Sequence, residues 1–239
     1  MPAAADALRA PALRIHALKR WFDDPEGGRV LALDVPSLVL GRGEQLAVTG
    51  ASGSGKTTLL NVVAGLLPAD EGEVEVGGEA MTGRTEAARD RLRARHVGIV
   101  FQAFHLLPGL TALENVALGM TFRPAQGAPA RVAARAALQR VGLGDRLHHL
   151  PGQLSTGQQQ RVAIARALAG SPTLVLADEP TASRDPARAA ACLELLTGFC
   201  SERGAALLVV SHDPAVLARF PRRLALSAPA AGAAAGQAS

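Results

Sequence analysis

Cysteine is scarce in this chain of 239 residues, with only Cys192 and Cys200 present. Two thiols make no disulfide framework, and their spacing is not that of a metal site. They fall with Leu196 and Phe199 on one stripe of a predicted helix, so they read as core residues. Long apolar runs are missing too. None approaches the ~20 residues a membrane helix needs, and the Ala-rich start lacks the charged-then-apolar layout of a signal peptide. The expectation is a protein made and kept in the cytosol, for which any membrane role requires a separate partner chain. Excess charge is small: 25 Lys+Arg against 21 Asp+Glu leave +4, too little to imply nucleic acid without a concentrated patch. Tyrosine is absent and tryptophan occurs once, as Trp21. Lysine is nearly absent, since only Lys19 and Lys56 stand among the basic residues and the rest are Arg.

What is present is an alternation of strand and helix. Strands are predicted near 13–18, 45–49, 73–76, 97–101, 173–178, 206–211 and 223–227. Helices are predicted at 55–66, 86–95, 111–121, 128–141, 157–169, 186–202 and 213–219. The early part is strand-rich, and the later part alternates as in an open parallel sheet that binds phosphates at its strand C-terminal ends. Residues 103–154 carry helices and no convincing strand, which suggests a helical subdomain inserted in one domain spanning 12–227. Residues 1–11 and 228–239 are Ala/Pro/Gly-rich without periodicity and are expected to be disordered. Arg89, Arg91, Arg93 and Arg95 interleave with Asp90 and Leu92, the pattern of a solvated helix face.

Two motifs carry chemistry. Gly50-Ala51-Ser52-Gly53-Ser54-Gly55-Lys56-Thr57 fits G-x-x-x-x-G-K-[ST], placed between a short apolar strand and a helix that continues through Thr58. Its glycines permit the tight turns that aim successive N–H groups at phosphates. Lys56 suits a bridge between β- and γ-phosphates, because a compact ammonium fits where a planar guanidinium would not. The Thr57 hydroxyl suits Mg²⁺. Further on, the apolar run Thr173–Ala177 ends in Asp178-Glu179. Asp178 is the candidate second Mg²⁺ ligand, and Glu179 the candidate general base that polarises the attacking water.

Between them stands LSTGQ at 154–158, and together the three motifs, in this order, resemble the ATP-binding cassette (ABC) ATPase family over nearly the whole chain. The resemblance implies a P-loop NTPase of ABC type: a RecA-like parallel-sheet core, an N-terminal antiparallel β part and the inserted helical subdomain. It implies that Ser155, Thr156, Gly157 and Gln158 cap the γ-phosphate held by a second copy, so that ATP is sandwiched in a head-to-tail homodimer. Thr156 stands where the family usually has Gly. Gln102 matches the Q-loop that links Mg²⁺ and the attacking water to the helical subdomain, and His212 matches the switch histidine at the γ-phosphate. Asp185 matches the D-loop aspartate, although Ser183-Arg184 replace the common Ala-Leu. Trp21 matches the aromatic that stacks on adenine, usually Tyr. Phe22 is the alternative stacker, and a strand-end aromatic packed on the core is the plainer reading.

The run from Arg91 to Met120 is similar to the lipoprotein-releasing and macrolide-export type. That similarity implies a cytoplasmic ATPase subunit on the inner face of the cell membrane, driving a separate permease, with export or extraction favoured over import. The permease's coupling helix would enter an apolar groove supplied by Phe104, Leu106 and Leu107. The alternatives are an importer subunit for a small solute such as an amino acid, and a non-transporting ATPase that signals to a membrane cell-division complex. A two-cassette ribosomal protein does not fit a chain with one cassette. A chromosome ATPase does not fit a chain without a long heptad run. The 27 residues after His212 leave no room for a C-terminal β-domain.

Overall fold

Strand β1 (Leu13–Asp23) pairs antiparallel with β2 (Arg29–Leu40) and, on its other side, with β4 (Glu71–Val76), which carries the short β5 (Glu79–Ala80). The computed structural model describes residues 10–25, 27–121, 129–181 and 186–227. Most of both expected disordered tails, and Ser183, Arg184 and Asp185, lie outside those residues. Along β1 the buried positions are Leu13 and Ile15, then Leu18 and Trp21. Strict alternation breaks at Ala17 (φ 47°), where the register with β4 shifts between His16 and Lys19. The extra residue turns the later half of the strand so that it too faces the core.

The sequence reading stops β1 at residue 18 and contains no strand between there and 45. Pro36 stands inside β2, where a proline argues against a ladder strand. β2 tolerates it because it is the sheet edge, in the order β2-β1-β4-β5.

The second sheet has the order β6-β7-β8-β3-β9, and all four of its pairings are parallel. Its strands are β3 (Gln45–Thr49), β6 (Val97–Val100), β7 (Leu174–Asp178), β8 (Ala206–Val210) and β9 (Arg223–Ala225). The central β8, and β7 up to its last residue Asp178, are apolar and buried, as expected of a sheet covered on both faces. Alternate residues serve different layers. Leu46, Val48, Leu174, Leu176, Leu208 and Val210 pack with the antiparallel sheet and with helices α1 (Lys56–Val63) and α2 (Glu86–His96). Ala47, Val175, Ala177, Leu207 and Val209 pack on the other face. That layer is built from α3 (Ala112–Leu118), α4 (Ala130–Arg140), α5 (Thr156–Leu168) and α6 (Pro186–Arg203), with α7 (Pro214–Leu217) near the end of the chain.

Residues 103–121 and 129–154 contain α3, α4 and a single 3₁₀ turn at Pro151–Gln153, with no strand among the described residues. α3 starts at a full capping box, in which Glu114 N–H donates to the Thr111 hydroxyl and Thr111 N–H to the Glu114 carboxylate. Buried Asn115 accepts from Leu107 N–H and donates to the carbonyls of Leu107, Leu110 and Thr111, which fixes the preceding loop. Cys192 and Cys200 are buried on α6, as the sequence pattern predicts. No helix among the described residues is long and apolar enough to cross a membrane.

Candidate active site

Because β3 lies beside β8 and β8 beside β7, the residues that leave these strands emerge at one edge of the sheet. Gly50, Glu179 and Ser211 are the first residues past the three strand ends, and everything below follows from that adjacency. The loop from Gly50 to Gly55 bends back into α1. Two glycines are required by space as well as by torsion. A Cβ on Gly55 (φ 87°) would sit 2.3 Å from the Ala32 carbonyl oxygen, and one on Gly50 would sit 2.4 Å from Ser54 Oγ. Lys56, first residue of α1, turns its ammonium back over the loop and donates to the carbonyls of Gly50 (2.8 Å) and Ala51 (2.7 Å). α1 has no side-chain cap and no acidic residue in its first turn. Its opening N–H groups, on Lys56, Thr57 and Thr58, and the positive end of the helix dipole are therefore uncompensated, the condition for anion binding. Ala51, Ser52 and Gly53 form the exposed outer part of the loop, and Ser54 is buried beneath it.

Asp178 ends β7 and accepts a hydrogen bond from Thr57. Burial, and then the charge of neighbouring Glu179, push its carboxyl above the ordinary value, against the opposing effects of Thr57 and Lys56. A half-buried carboxylate held in this way gains from a cation. Thr57, Asp178 and Gln102 line one cavity of about 370 Å³. One hydroxyl, one carboxylate and one amide oxygen form a hard oxygen donor set suited to Mg²⁺, which keeps water and phosphate ligands of its own. Among the described residues no cluster of three His, Cys, Asp or Glu forms an all-protein metal cage.

Glu179 has a positive φ of 42°, rare for a residue with a side chain. Its N–H donates to Val210 O (3.0 Å), continuing the β7–β8 ladder by one rung. Its carboxylate accepts from the Ser211 hydroxyl (3.0 Å) and from His212 N–H (3.1 Å), and lies 2.5 Å from His212 Nδ1. That hydrogen bond to Glu179, with the attraction of its charge, raises the exposed imidazole above its ordinary pKa. Lys56 acts on the same ring by repulsion, so the loop, Glu179 and His212 share one site.

Ser155 is the N-cap of α5. Its hydroxyl accepts from Gln158 N–H (3.3 Å) while Gln158 Oε1 accepts from Ser155 N–H (2.9 Å), another full capping box. Ser155 and Thr156 are exposed and Gly157 half-buried, with open space around the Gly157 Cα. These residues thus bond within their own segment and present a helix start outward.

Trp21 is only 8% exposed, and the cations of Lys19 and Arg29 lie 5.7 and 5.6 Å from its ring centroid. Its backbone N–H donates to Asp70, which also pairs with Arg20 and Arg29. Phe22, the alternative, is 40% exposed and carries the Arg20 guanidinium at 5.0 Å. Asp185 lies outside the described residues.

Sequence reasoning missed several residues that organise this site. Ser211 was readable only as a strand end, yet its hydroxyl donates to the Glu179 carboxylate. Gln160 is buried in α5 and donates to Pro180 O, which also accepts from the Cys192 thiol at 3.3 Å, fixing the turn after Glu179. Of the apolar residues expected to supply a groove, Leu106 packs partly buried against the core and Leu107 is exposed. A groove of about 450 Å³ lies between α2, β6 and α5, lined by Arg91, Arg93, Ile99, Leu118 and Arg166. The arginines of α2 are not simply a solvated face, since Arg89 and Arg93 donate to the carbonyls of Gly65 and Ala64 at the end of α1.

A parallel sheet that delivers a phosphate loop, a carboxylate pair and a histidine to one edge, with a strand-rich sheet behind it and helices in front, defines a P-loop ATPase cassette. The chain belongs to the ABC transporter family, whose model matches residues 33–182. It is the ATP-binding and ATP-hydrolysing subunit of such a transporter. It is 45% identical over 214 residues to YbbA of Escherichia coli (strain K12), an uncharacterized ABC transporter ATP-binding protein, covering 90% of this chain and 93% of that one. It is 44% identical over 219 residues to LolD of Bordetella avium, a lipoprotein-releasing system ATP-binding protein, covering 92% and 95%. Among solved structures it is similar to the ATP-binding cassette MJ0796 in a dimeric, post-hydrolysis state bound to ADP and Pi. That likeness has a TM-score of 0.80 and 36% identity, and covers 90% of this chain and 94% of the other.

Proposed function

We propose that Glu179 is the general base for ATP hydrolysis, in a site completed by Ser155–Gln158 of a second copy. The observation that carries this reading is the Glu179 carboxylate, held by Ser211 and His212 at the sheet edge that also holds Lys56, Thr57 and Asp178. The N–H groups of Gly53–Thr58 receive the β- and γ-phosphates, and the Lys56 ammonium exchanges its loop carbonyls for phosphate oxygens. Thr57 and Asp178, with Gln102 beside them, would hold Mg²⁺, which would supply charge neutralisation. Glu179 takes the proton of the attacking water, and His212, fixed by that carboxylate, steadies its orientation and reaches the γ-phosphate. Trp21 forms the adenine platform. Asp185, by resemblance, belongs to the seam between the two copies.

The dimeric state of the similar MJ0796 cassette supports a head-to-tail pair. Similarity to lipoprotein-releasing cassettes supports a cytoplasmic subunit, peripheral on the inner face of the membrane, that drives a separate permease in export or extraction of a lipoprotein-like cargo. Residues 103–154 act as the helical subdomain that meets that permease.

Glu179→Gln is the test. The variant is expected to bind ATP like the wild type, to lose hydrolysis by roughly 10² to 10⁴ fold, and to accumulate as an ATP-bound dimer. Wild-type turnover would remove Glu179 from the role. Recovered from solubilised membranes in its ATP-bound state, it should carry a few-span protein with a large extracytoplasmic domain. A many-span permease with a substrate-binding protein would turn the direction to import.

A further inference from the structure

Two consecutive residues of the loop after β6 lie in the left-handed region, Phe104 (φ 57°) and His105 (φ 47°), and neither is a glycine. His105 N–H donates to Ala103 O (2.6 Å), Phe104 N–H to Phe101 O (3.2 Å), and the Phe101 and His105 rings meet with centroids 4.8 Å apart. A conformation so rarely adopted by L-residues persists only where its surroundings over-determine it. Here one side chain does most of that. Arg166, from the last turn of α5, donates Nη2–H to Phe104 O and Nη1–H to His105 O, both at 2.6 Å. The planar fork of a guanidinium spans two adjacent carbonyls, and a lysine ammonium cannot hold both in the same way. Gln102 sits two residues before this clamp, in the cavity shared with Thr57 and Asp178.

We propose that Arg166 is a positioning residue for Gln102: its fork holds the left-handed turn at 104–105 and so keeps the Gln102 amide beside Thr57 and Asp178. The inference rests on the proposed role of Gln102 at the Mg²⁺–ATP site. It also joins that site to two others. α5 begins at the Ser155 cap, about 16 Å away along one rigid helix, and Arg166 lines the groove between α2 and β6. A partner segment entering the groove meets the residue that holds the Gln102 loop.

Arg166→Lys separates this role from general packing. In ATPase assays kcat should fall about tenfold or more, the scale on which small misplacements of a reacting group act, while KM for Mg–ATP rises only as far as the lost Mg²⁺ gain. Calorimetric ATP binding in EDTA should be unchanged, and the affinity gained on adding Mg²⁺ should shrink several-fold. His105→Val leaves Arg166 in place but cannot hold a positive φ without strain; it should give the same split, and it carries the test should the lysine variant not fold. Glycine accepts that φ freely, so adding His105→Gly to Arg166→Lys should restore part of the lost kcat. A folded Arg166→Lys or His105→Val with wild-type kcat and the wild-type Mg²⁺ gain overturns the proposal. A wild-type chain that binds ATP no better with Mg²⁺ overturns the underlying reading of the site along with it.

Discussion

Glu179 and Asp178 are neighbours in sequence with opposite environments, and the backbone causes the difference. Glu179, at positive φ, turns its carboxylate to accept from the Ser211 hydroxyl and His212 N–H, while Asp178 stays at the strand end, half-buried, with Thr57 as its donor. Burial and Glu179 raise the Asp178 pKa in the folded protein, so at neutral pH its charge costs stability that the unfolded chain does not lose. Asp178→Asn keeps an acceptor for Thr57 and removes that cost. Without nucleotide or metal, the variant should melt roughly 2 °C above wild type at pH 7. The advantage should shrink as pH falls through the folded pKa of Asp178 towards its unfolded value. A lower melting temperature at neutral pH would show that the carboxylate is a net stabiliser and the site unstrained. Trp21 permits a second measurement at this scale, because it is the only tryptophan of a chain without tyrosine. If adenine stacks there, ATP should change its fluorescence and tripolyphosphate should not. Equal responses to both would leave Trp21 as the strand-end core residue its 8% exposure also describes.

Among the elements, what could be read from sequence was what repeats or what punctuates. The apolar strands β3, β7 and β8 and the helices after them stand within a few residues of their predicted ends, because each is a buried run bounded by Gly, Asp or Ser. Phosphate loop, carboxylate pair and α5 cap were legible because their chemistry needs particular residue types at fixed spacing. β2 was not, since Pro36 breaks the ladder pattern and only the sheet order shows that it lies at an edge, where the pattern need not hold. The Asn115 network and the Arg166 clamp were equally invisible. Each is a side chain bonding to carbonyls of another segment, and across the 61 and 62 residues separating Arg166 from the two it holds no local pattern survives. The packing of Leu106 and Leu107 was hidden for a related reason. Sequence shows that both are apolar, but only the fold decides that one packs partly buried against the core and the other is exposed.

At the scale of the whole molecule, Ser155 tests whether the second half of the site comes from a second copy. In the single chain Ser155 caps its own helix and bonds to Gln158, so the cap can be kept while the outward face is changed. Asp is as good an N-cap as Ser. Ser155→Asp should therefore leave thermal stability within about 0.5 kcal/mol of wild type while placing a negative charge where the proposed γ-phosphate contact forms. Alone, a Ser155→Asp homodimer should hydrolyse ATP poorly, as should a Glu179→Gln homodimer. Their mixture behaves differently if each site takes its base from one copy and its cap from the other. A heterodimer then has one site with both defects and one with neither. With random pairing and independent sites, half the dimers carry one intact site out of two, so the mixture should recover about a quarter of wild-type activity. A site built within one chain gives no intact combination, and a mixture of two inactive variants would stay inactive.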